Sequence, residues 1–556
     1  MKPPEYNLLD EPWIPVRLLD GTITEVGLLE LLQRSTDIAD LACELPTQNI
    51  AIQRLVLAVA YRVATPLDAE EWLEQLEEGA PIEQMIEYLE KWRERFYLFG
   101  GQYPFMQVAD LRTPKDTVSG LEKLIADVPN GEQFFTTRNG KALERISAAE
   151  AARWVVHTQA YDPSGIRSGA VGDPEVKGGK GYPIGPAWCG HLGLVWLKGK
   201  NFNETLLLNL VPADAGDLKG VPVTTEWDWC TWEASTPETS ARGNYSRLDP
   251  KGTPRDLSIP KLLTWHSRRI KLIGDSSGVT SVVLAQGDKL APQQMQRYEP
   301  QSLWRYSLPQ SRNLKQDVYM PSKFKVGRAL WRDLPGTLPV CEMIQGADKQ
   351  PKREFLQSAV LSFHAELKSS MLAEDYPTQM QIQAVGVTYG PKEATVDDIY
   401  ADELTLSVAM MRTEREDLAA EVDRQVRLTE QVAVKVGMLG ANLARAAGES
   451  GDGAGDGARE RAKEQFFSRI DDPFRAWLAQ VDGRLSAREV GQIWASELRR
   501  YATELGAQLV ASASSSAIIG RDTGWGFMNV SIAENFFRSA LQKLVPNSDN
   551  KQEGMK

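Results

Sequence analysis

The sequence predicts an α+β fold: an irregular mixed domain over residues 1–400, followed by an all-α four-helix bundle over residues 401–556. Three observations support this prediction. With 556 residues, the chain exceeds the size at which one hydrophobic core usually stops growing. Up to about Leu372, short apolar runs alternate with Gly, Pro and short helical stretches, without a βαβ repeat. Beyond Asp402, apolar residues recur at the spacings of an amphipathic helix.

The first predicted helix of the bundle is long. Its apolar residues, mostly separated by three or four positions, define one buried stripe on a helix of roughly ten turns. The run Gly448–Gly457 follows, and we expect a flexible connector there because the run has nothing to bury. The stripe consists of Leu404, Val408, Met411, Leu418, Val422, Val426, Val432, Val436, Leu439 and Leu443.

Three further helices complete the predicted bundle. The second carries several aromatic residues and is expected to kink near Pro473. Ser486 and Glu489 form a capping-box pattern ahead of the third helix, and Ser531 and Glu534 repeat that pattern ahead of the fourth.

Composition and charge restrict the function classes. With 42% hydrophobic and 25% charged residues, the sequence is typical of a soluble globular protein. No apolar run approaches the roughly 20 residues of a membrane helix, and the first residues lack the apolar stretch of a signal peptide, so we expect a cytoplasmic location and no membrane partner. The net charge of −12 argues against an autonomous nucleic-acid binder. Any nucleic-acid contact is therefore expected to be local or shared with other chains.

One segment is nevertheless basic, from Arg247 to Arg332. Two interpretations stay open, a solvated basic face and a track for phosphates. Its members include Arg255, Lys261, Arg268, Arg269, Lys271, Lys289, Arg297, Arg305, Arg312, Lys315, Lys323, Lys325 and Arg328.

The sequence contains no recognisable catalytic or metal-binding motif. The four cysteines and four histidines are scattered, which favours reduced, mostly buried thiols and predicts neither a zinc site nor a disulfide framework. Gly178-Gly179-Lys180-Gly181 resembles a phosphate cradle but lacks the strand and capped helix of a P-loop. We therefore expect no enzyme activity and no cofactor. The residues considered are Cys43, Cys189, Cys230, Cys341, His157, His191, His266 and His364.

An alternative is a metal-dependent nuclease that uses the carboxylates of Asp397, Asp398, Asp402 and Glu403. These residues are predicted to lie just before the long helix. Acidic residues at that position stabilise the helix dipole, which explains them without a metal.

Three motifs carry a family resemblance. The N-terminal segment Tyr6–Val16 reads YNLLDEPWIPV, Tyr103–Gln107 reads YPFMQ, and Thr205–Leu210 reads TLLLNL. In this order the motifs resemble the CasA family, the large subunit of the type I-E CRISPR Cascade effector complex. Chain length and the order of an α+β domain before a helical bundle fit as well, so the resemblance covers nearly the whole chain.

The resemblance implies a non-catalytic binding protein. Members of this family sit at the 5′ end of the crRNA, recognise the protospacer-adjacent motif (PAM) on duplex DNA and start strand separation for R-loop formation. They also recruit the helicase-nuclease that cuts the target. The implied partners are other Cascade subunits, crRNA, double-stranded target DNA and the CRISPR helicase-nuclease. Some relatives carry paired cysteines that resemble a zinc site, and this chain has none at those places.

The resemblance also implies two loops at the nucleic acid. The first contacts the crRNA handle and the PAM region through an exposed aromatic ring and a phosphate-binding arginine, with one of its two phenylalanines expected in the core. The second is a glycine loop within Asp162–Gly181, where residues without side chains let the backbone approach the PAM minor groove. A merely flexible surface loop is the competing interpretation. The first loop comprises Phe134, Phe135, Thr136, Arg138 and Asn139, and the second contains Gly165, Arg167, Gly169, Gly178 and Gly179.

Two further elements follow from the resemblance. The wedge is a hairpin tip that displaces the first base pair, and it corresponds to Gly390, Pro391, Lys392 and Glu393 after a run with partial strand alternation. Relatives have Asn and Gln where this chain has Lys392 and Glu393. The lysine finger, which reaches a PAM base, corresponds to Lys289.

The assignment of Phe135 predicts an outcome that separates stacking from packing. Stacking on nucleic acid contributes on the order of 1 to 3 kcal/mol, so Phe135→Ala should weaken target binding by the assembled complex about ten- to a hundredfold while the isolated chain melts unchanged. Loss of a core phenylalanine costs about 3 to 5 kcal/mol of folding stability. A large fall in melting temperature would therefore assign Phe135 to the core, and unchanged binding with an unchanged melt would remove this loop from the site.

Overall fold

The computed structural model describes residues 3–128, 138, 143–215, 218, 230–234, 244–245, 257–338, 343–369, 379–411, 415–524 and 526–546. The chain forms two compact units. The first contains most of the chain up to Glu403, and the second consists of the chain from Leu404 onward together with two short earlier segments, Leu338–Val340 and Pro377–Met380. The predicted fold class is confirmed, since strands and short helices alternate in the first unit and long helices dominate the second.

The helices are α1 (Leu28–Gln33), α2 (Pro46–Ala64), α3 (Ala69–Glu78), α4 (Ile82–Lys91), α5 (Ala148–Tyr161), α6 (Phe202–Asn209), α7 (Ile259–Leu263), α8 (Leu308–Leu314), α9 (Ala359–Ser369), α10 (Val408–Met411), α11 (Glu416–Ala447), α12 (Asp456–Ala479), α13 (Ala487–Ala511), α14 (Ser515–Ile519) and α15 (Val530–Leu544). The strands are β1 (Glu5–Asn7), β2 (Ile14–Leu18), β3 (Ile23–Val26), β4 (Ile38–Leu41), β5 (Tyr97–Phe99), β6 (Arg167–Ser168), β7 (Lys180–Gly181), β8 (Gly193–Lys198), β9 (Asn244–Tyr245), β10 (Arg268–Asp275), β11 (Gly278–Gln286), β12 (Lys289–Leu290), β13 (Trp304–Tyr306), β14 (Tyr319–Pro321), β15 (Met343–Gln345), β16 (Pro351–Arg353), β17 (Phe355–Leu356), β18 (Gln379–Tyr389), β19 (Val396–Ser407), β20 (Arg521–Thr523) and β21 (Gly526–Met528).

The strands of the first unit form several small sheets. The orders β3-β2-β4, β14-β13-β17 and β19-β18-β8 describe three-stranded sheets, and β10 pairs with β11 in a long antiparallel hairpin. Strand β18 pairs antiparallel with β8, with Ile382 opposite Leu197 and Val385 opposite Leu194. All four of these residues are buried, so the sheet holds the wedge strands against the core.

The motif at the N-terminus packs into the core and stabilises its own turn. The side chains of Leu8, Leu9, Trp13 and Ile14 are completely buried. The indole Nε1 of Trp13 donates to the Leu8 carbonyl at 2.9 Å, so the ring closes its own chain segment. The Asn7 carboxamide accepts from the Leu9 amide at 3.0 Å, which fixes the turn before the tryptophan.

The other two motifs also serve the core. The Gln107 amide donates to the Leu98 carbonyl at 2.8 Å, and its oxygen accepts from the Leu272 amide at 2.9 Å. The fully buried Asn209 donates to the Leu197 carbonyl at 2.7 Å and accepts from the Leu197 amide at 3.1 Å. Each buried amide therefore satisfies backbone groups that a neighbouring strand leaves open.

A buried ion pair lies at the centre of the first unit. Arg54 on α2 and Glu299 are 2% and 0% exposed, and they form two parallel hydrogen bonds of 2.8 and 2.7 Å. Gln301 accepts from the same guanidinium at 3.1 Å, and the Trp188 indole donates to Glu299 at 2.8 Å. Bidentate geometry and these extra bonds compensate the cost of burying both charges.

Four long helices pack together in the described part of the second unit, which confirms the predicted bundle: α11 contacts α12, α13 and α15. The predicted single long helix is wrong at its start. Leu404 lies in β19, Val408 and Met411 lie in α10, and Arg415 has non-helical backbone angles ahead of α11. The helix itself has 32 residues, about nine turns, and its stripe from Leu418 to Leu443 is buried as predicted.

The predicted helix boundaries have mixed outcomes. The capping box of Ser486 and Glu489 is confirmed, since each side chain accepts a hydrogen bond from the other residue's backbone amide. The box of Ser531 and Glu534 is wrong, because Asn529 caps α15 by accepting from the Ile532 amide at 2.9 Å. Asparagine is among the strongest N-caps, and it precedes the serine. The second helix continues through Pro473.

Among the described residues, no single helix is both long and apolar enough to cross a membrane, while the bent pair Pro46–Ala64 and Ala69–Glu78 meets those criteria by length and composition.

The Arg54 pair predicts a large effect on stability. Arg54→Met should lower the free energy of unfolding by about 3 to 5 kcal/mol, because it leaves the Glu299 charge buried without a partner. Urea unfolding of the isolated chain, followed by tryptophan fluorescence, measures this. Arg34→Met is the matched control, since Arg34 forms a 2.7 Å pair with Glu30 in which both side chains are over a third exposed. That variant should lose less than about 1 kcal/mol. Equal losses in the two variants would contradict the prediction.

Candidate nucleic-acid interface

The tip of the predicted glycine loop is a tight hairpin turn. From here on, the name glycine loop denotes Asp162–Gly185, which includes the predicted range Asp162–Gly181 and contains the short antiparallel pair β6 and β7. Lys177 and Lys180 exchange two backbone hydrogen bonds of 3.1 Å around Gly178 and Gly179, whose φ values are 58° and 74°. Two consecutive left-handed residues form a turn that strongly favours glycine. All four residues are exposed, and a Cβ at either glycine would meet nothing within 4 Å.

The other predicted residues of this loop contact the loop itself or the rest of the first unit. A Cβ at Gly169 would stand 2.7 Å from the Gly179 carbonyl oxygen, so the two arms touch there. The Gly165 carbonyl accepts from Gln286 at 2.8 Å. The Arg167 guanidinium, with 8% of its side chain exposed, binds the Asp162 carboxylate at 2.5 Å. The exposed backbone available to a ligand is therefore at Gly178 and Gly179.

Lys289 follows a constrained turn after β11 and is the first residue of β12. Its side chain is exposed. A Cβ at Gly287 would lie 2.4 Å from the His266 carbonyl oxygen, so this turn requires glycine. The next residue, Asp288, accepts from buried Arg269 at 2.9 Å and thereby fixes the backbone one position before the lysine.

The predicted wedge is the turn of the β18–β19 hairpin. Pro391, Lys392 and Glu393 form one turn of 3-10 helix and are all exposed. Lys392 and Glu393 have φ values of 60° and 56°, a conformation that costs non-glycine residues roughly 1 to 2 kcal/mol each. Gly390 closes the turn by donating to the Thr395 carbonyl at 3.0 Å. Backbone strain at an exposed tip is typical of functional sites.

These three elements share one base. The Tyr389 hydroxyl, at the end of the wedge strand, donates to the Tyr161 carbonyl at 2.7 Å, directly before the glycine loop. Gln286, three residues before Lys289, donates to both arms of the glycine loop. Buried Arg268 binds the Asp162 carboxylate. We call Tyr161, Asp162, Arg268, Gln286 and Tyr389 the loop base.

The predicted crRNA loop is represented by one residue. Phe134, Phe135, Thr136 and Asn139 lie outside the described residues. Arg138 is 13% exposed, and its guanidinium pairs with the carboxylates of Glu44, Asp127 and Glu150. A phosphate that binds Arg138 would therefore compete with three carboxylates, and the phosphate contact of this residue stays a prediction.

The predicted basic segment divides between core and surface. Arg268 and Arg269 are 1% and 2% exposed and are paired with aspartates, so they belong to no surface track. Other members line a cavity of about 590 Å³ in the first unit, together with a single carboxylate, Asp333. The ammonium of Lys323 in this cavity lies 5.1 Å from the centre of the Tyr389 ring, close to the loop base. The cationic residues of this basic groove are Arg305, Lys323, Lys325, Arg328 and Arg332.

The carboxylates of the nuclease alternative lie on β19, not before the long helix as predicted. Asp402 accepts from the Leu330 amide at 2.7 Å, and Glu403 binds the ammonium of Lys198 at 2.8 Å. Among the described residues, no group of three or more His, Cys, Asp or Glu is placed to hold a metal ion. In Gly178-Gly179-Lys180-Gly181, which resembles a phosphate cradle, the first two glycines are required by the hairpin turn, since both have positive φ.

The buried histidines and cysteines serve the core. Burial lowers the pKa of His157 to about 3 and that of His364 to about 4, so both are neutral at pH 7. His157 shares a 2.9 Å hydrogen bond with Thr47, and His364 donates to the Leu208 carbonyl. Cys189 and Cys230 are buried cysteines, and Cys43 is partly buried. Burial raises the pKa of Cys189 to about 11, which makes its thiol unreactive.

Comparison with known proteins confirms the family resemblance. A family model described as CRISPR-associated protein Cse1 matches residues 7–505. The chain belongs to the Cse1 family. The crystal structure of Thermobifida fusca Cse1 is 37% identical, with a TM-score of 0.85 over 97% of this chain and 98% of that one.

A further relative supports the family, and a further solved structure shares the fold. A CRISPR-associated protein CasA/Cse1 from Thermus thermophilus is 26% identical over 521 residues, which is 90% of this chain and 91% of the relative. A chain of a structure described as a CRISPR RNA-guided surveillance complex is 18% identical, with a TM-score of 0.56 over 97% of this chain and 100% of that one, and shows the same fold.

Sequence reasoning missed the residues that join the loops of this Cse1 family member. Gln286 and Tyr389 were not singled out, and Arg268 was counted among surface cations. No local pattern could have identified them, because the partners through which they join the loops lie 83 to 228 positions away in the chain.

Proposed function

We propose that this chain is the large subunit of a type I-E CRISPR RNA-guided surveillance complex, where it recognises the PAM on duplex DNA and starts strand separation. One observation supports this above all: three exposed tips, at Gly178–Gly179, Lys289 and Pro391–Glu393, arise from a shared, mostly buried base. Such an arrangement allows one ligand to contact all three tips at the same time. Membership of the Cse1 family supports the same assignment.

The two kinds of tip suit different tasks. Gly178 and Gly179 are exposed and carry no side chain, so their backbone can enter a minor groove, and the exposed Lys177 and Lys180 on either side are available to phosphates. The minor groove offers a degenerate pattern, which matches recognition of a short, tolerant motif. Lys289 adds one long cationic side chain from a rigid turn.

The wedge tip acts on the base pairs beside the PAM. Pro391 and the left-handed residues after it give a stiff tip, and inserted stiff residues unstack a base step. Asn and Gln are expected at this tip in relatives, whereas Lys392 and Glu393 occupy it here. Separation therefore rests on the shape of the turn, with Lys392 available to a displaced strand.

The remaining roles complete the proposal. The chain contacts the 5′ handle of crRNA, binds other subunits of the complex, recruits the helicase-nuclease and has no catalytic activity of its own. Its charge of −12 requires that other subunits supply most of the phosphate neutralisation. The basic groove provides a local exception, and its place beside Tyr389 suits a strand that leaves the wedge.

Shared charge leads to the first test of this function. The isolated chain should bind duplex DNA weakly and with little sequence preference at physiological salt, whereas the assembled complex should bind tightly and only with a PAM. Gel shifts on matched duplexes with and without a PAM measure both. Nanomolar, PAM-selective binding by the chain alone would contradict the shared-charge argument.

Replacement of Pro391–Glu393 by Gly-Gly tests the wedge. R-loop formation on intact duplex should slow, because the stiff tip is lost, while a target with mismatches beside the PAM should be largely rescued. Stopped-flow detection of the displaced strand gives both rates. A matched control replaces Ser276–Ser277, the exposed turn of the β10–β11 hairpin, by Gly-Gly and should change neither rate. Equal slowing of the wedge variant on both substrates would indicate a packing role.

A further inference from the structure

A single side chain ties together the two ends of the glycine loop. Arg268 on β10 is 1% exposed. One terminal nitrogen of its guanidinium donates to the carbonyls of Asp162 at 3.2 Å, Pro163 at 3.0 Å and Gly185 at 3.0 Å. Its Nε donates to the Asp162 carboxylate. The first two and the last residue of the loop are thus bound to one rigid group from outside the loop.

A second donor ties together the arms of the loop further out. The amide of Gln286, 1% exposed on β11, donates to Gly165 on the outgoing arm at 2.8 Å and to Gly181 on the returning arm at 3.3 Å. Arg167 adds bonds from within the loop, to the Asp162 carboxylate at 2.5 Å and to the Pro163 carbonyl at 2.8 Å. Arg268 at the base and Gln286 further out therefore fix the distance between the two arms of the loop.

Burial of the Arg268 charge costs free energy, so the residue is expected to serve a purpose other than stability. Burial lowers the pKa of its guanidinium, and the Asp162 carboxylate opposes this shift. A buried ion pair is often replaceable by apolar residues without loss of stability, and specificity of conformation is one use that such a pair can have. Here the carbonyls that Arg268 binds belong to the loop that carries the candidate reading tip.

We propose that Arg268, together with Gln286, is a positioning residue for PAM selection: it holds the Gly178–Gly179 tip in the geometry that discriminates PAM from non-PAM duplex, without touching nucleic acid. This inference rests on the proposed role of the glycine loop. It adds that selectivity depends on buried donors at some distance from the tip.

Arg268→Lys is the central test, performed in the assembled complex. An ammonium on a flexible stem cannot reach the carboxylate and the carbonyls at both loop ends together, although it keeps the charge. We expect binding to a PAM duplex to weaken about tenfold or more. We expect binding to a single-stranded target, which needs no PAM, to stay unchanged, so that the ratio of PAM to non-PAM affinity falls. A merely structural role would lower both bindings equally.

Two further variants keep the test decisive. Gln286→Met removes the second donor with little change of volume or charge. It therefore tests positioning even if a complex with Arg268→Lys fails to assemble. It should also lower the ratio of PAM to non-PAM affinity. Arg153→Lys is the matched control: Arg153 is 7% exposed and binds the Trp13 carbonyl at 2.8 Å and Glu25 at 3.0 Å, away from the loop. This control should keep the ratio. An unchanged ratio in Gln286→Met, or equal losses on both targets in Arg268→Lys, would overturn the inference.

A tip variant separates this inference from the proposed function. Gly178→Val places a branched side chain at a φ of 58°, and it should lower the PAM ratio if the tip reads DNA. An effect at Gly178 without an effect at Arg268 and Gln286 would overturn the positioning role and leave the proposed function intact. No effect at Gly178 would instead remove the glycine loop from PAM recognition, and the inference with it.

Discussion

The polar cluster around Arg54 and Glu299 is the interaction on which the arrangement of the first unit depends. It joins α2 to a segment 245 positions later in the chain, and the Trp188 indole completes it. Trp188 follows the end of the glycine loop by three residues, and its amide donates to Ser267, the neighbour of Arg268. Because unpaired charges cannot remain in this core, the cluster forces these distant segments to meet. The end of the loop is thereby fixed before any ligand binds.

Local patterns were sufficient to predict much of the fold. The stripe from Leu418 to Leu443 and the box of Ser486 and Glu489 depend on spacings within one helix, and the structure confirms both. The sequence also pointed to a hairpin turn at Gly390-Pro391, which the structure contains. Propensity and periodicity act over a few residues, so such features are readable without tertiary information.

The errors arise where partners are far apart in the chain. Leu404 continues a helical spacing by chance, yet pairing of β19 with β18 draws it into a sheet. The sequence predicts Arg268 as a surface cation, but in the fold its guanidinium is buried against the carboxylate of Asp162, which lies 106 positions earlier. The roles of the candidate site residues stay predictions for the same reason, because a loop's partners outside the chain leave still less trace in its sequence than partners within it.

An acidic chain can serve DNA recognition if affinity and selectivity come from different sources. Affinity for phosphates grows with the number of cations, and this chain has fewer cations than carboxylates. Selectivity needs only that a few groups be held where the correct bases allow contact and the wrong ones do not. The loop base provides such rigidity through donors that bind backbone carbonyls at fixed points. Under the proposed function, the buried hydrogen bonds of the loop base would supply selectivity by positioning the tip, while other subunits of the complex would supply most of the positive charge.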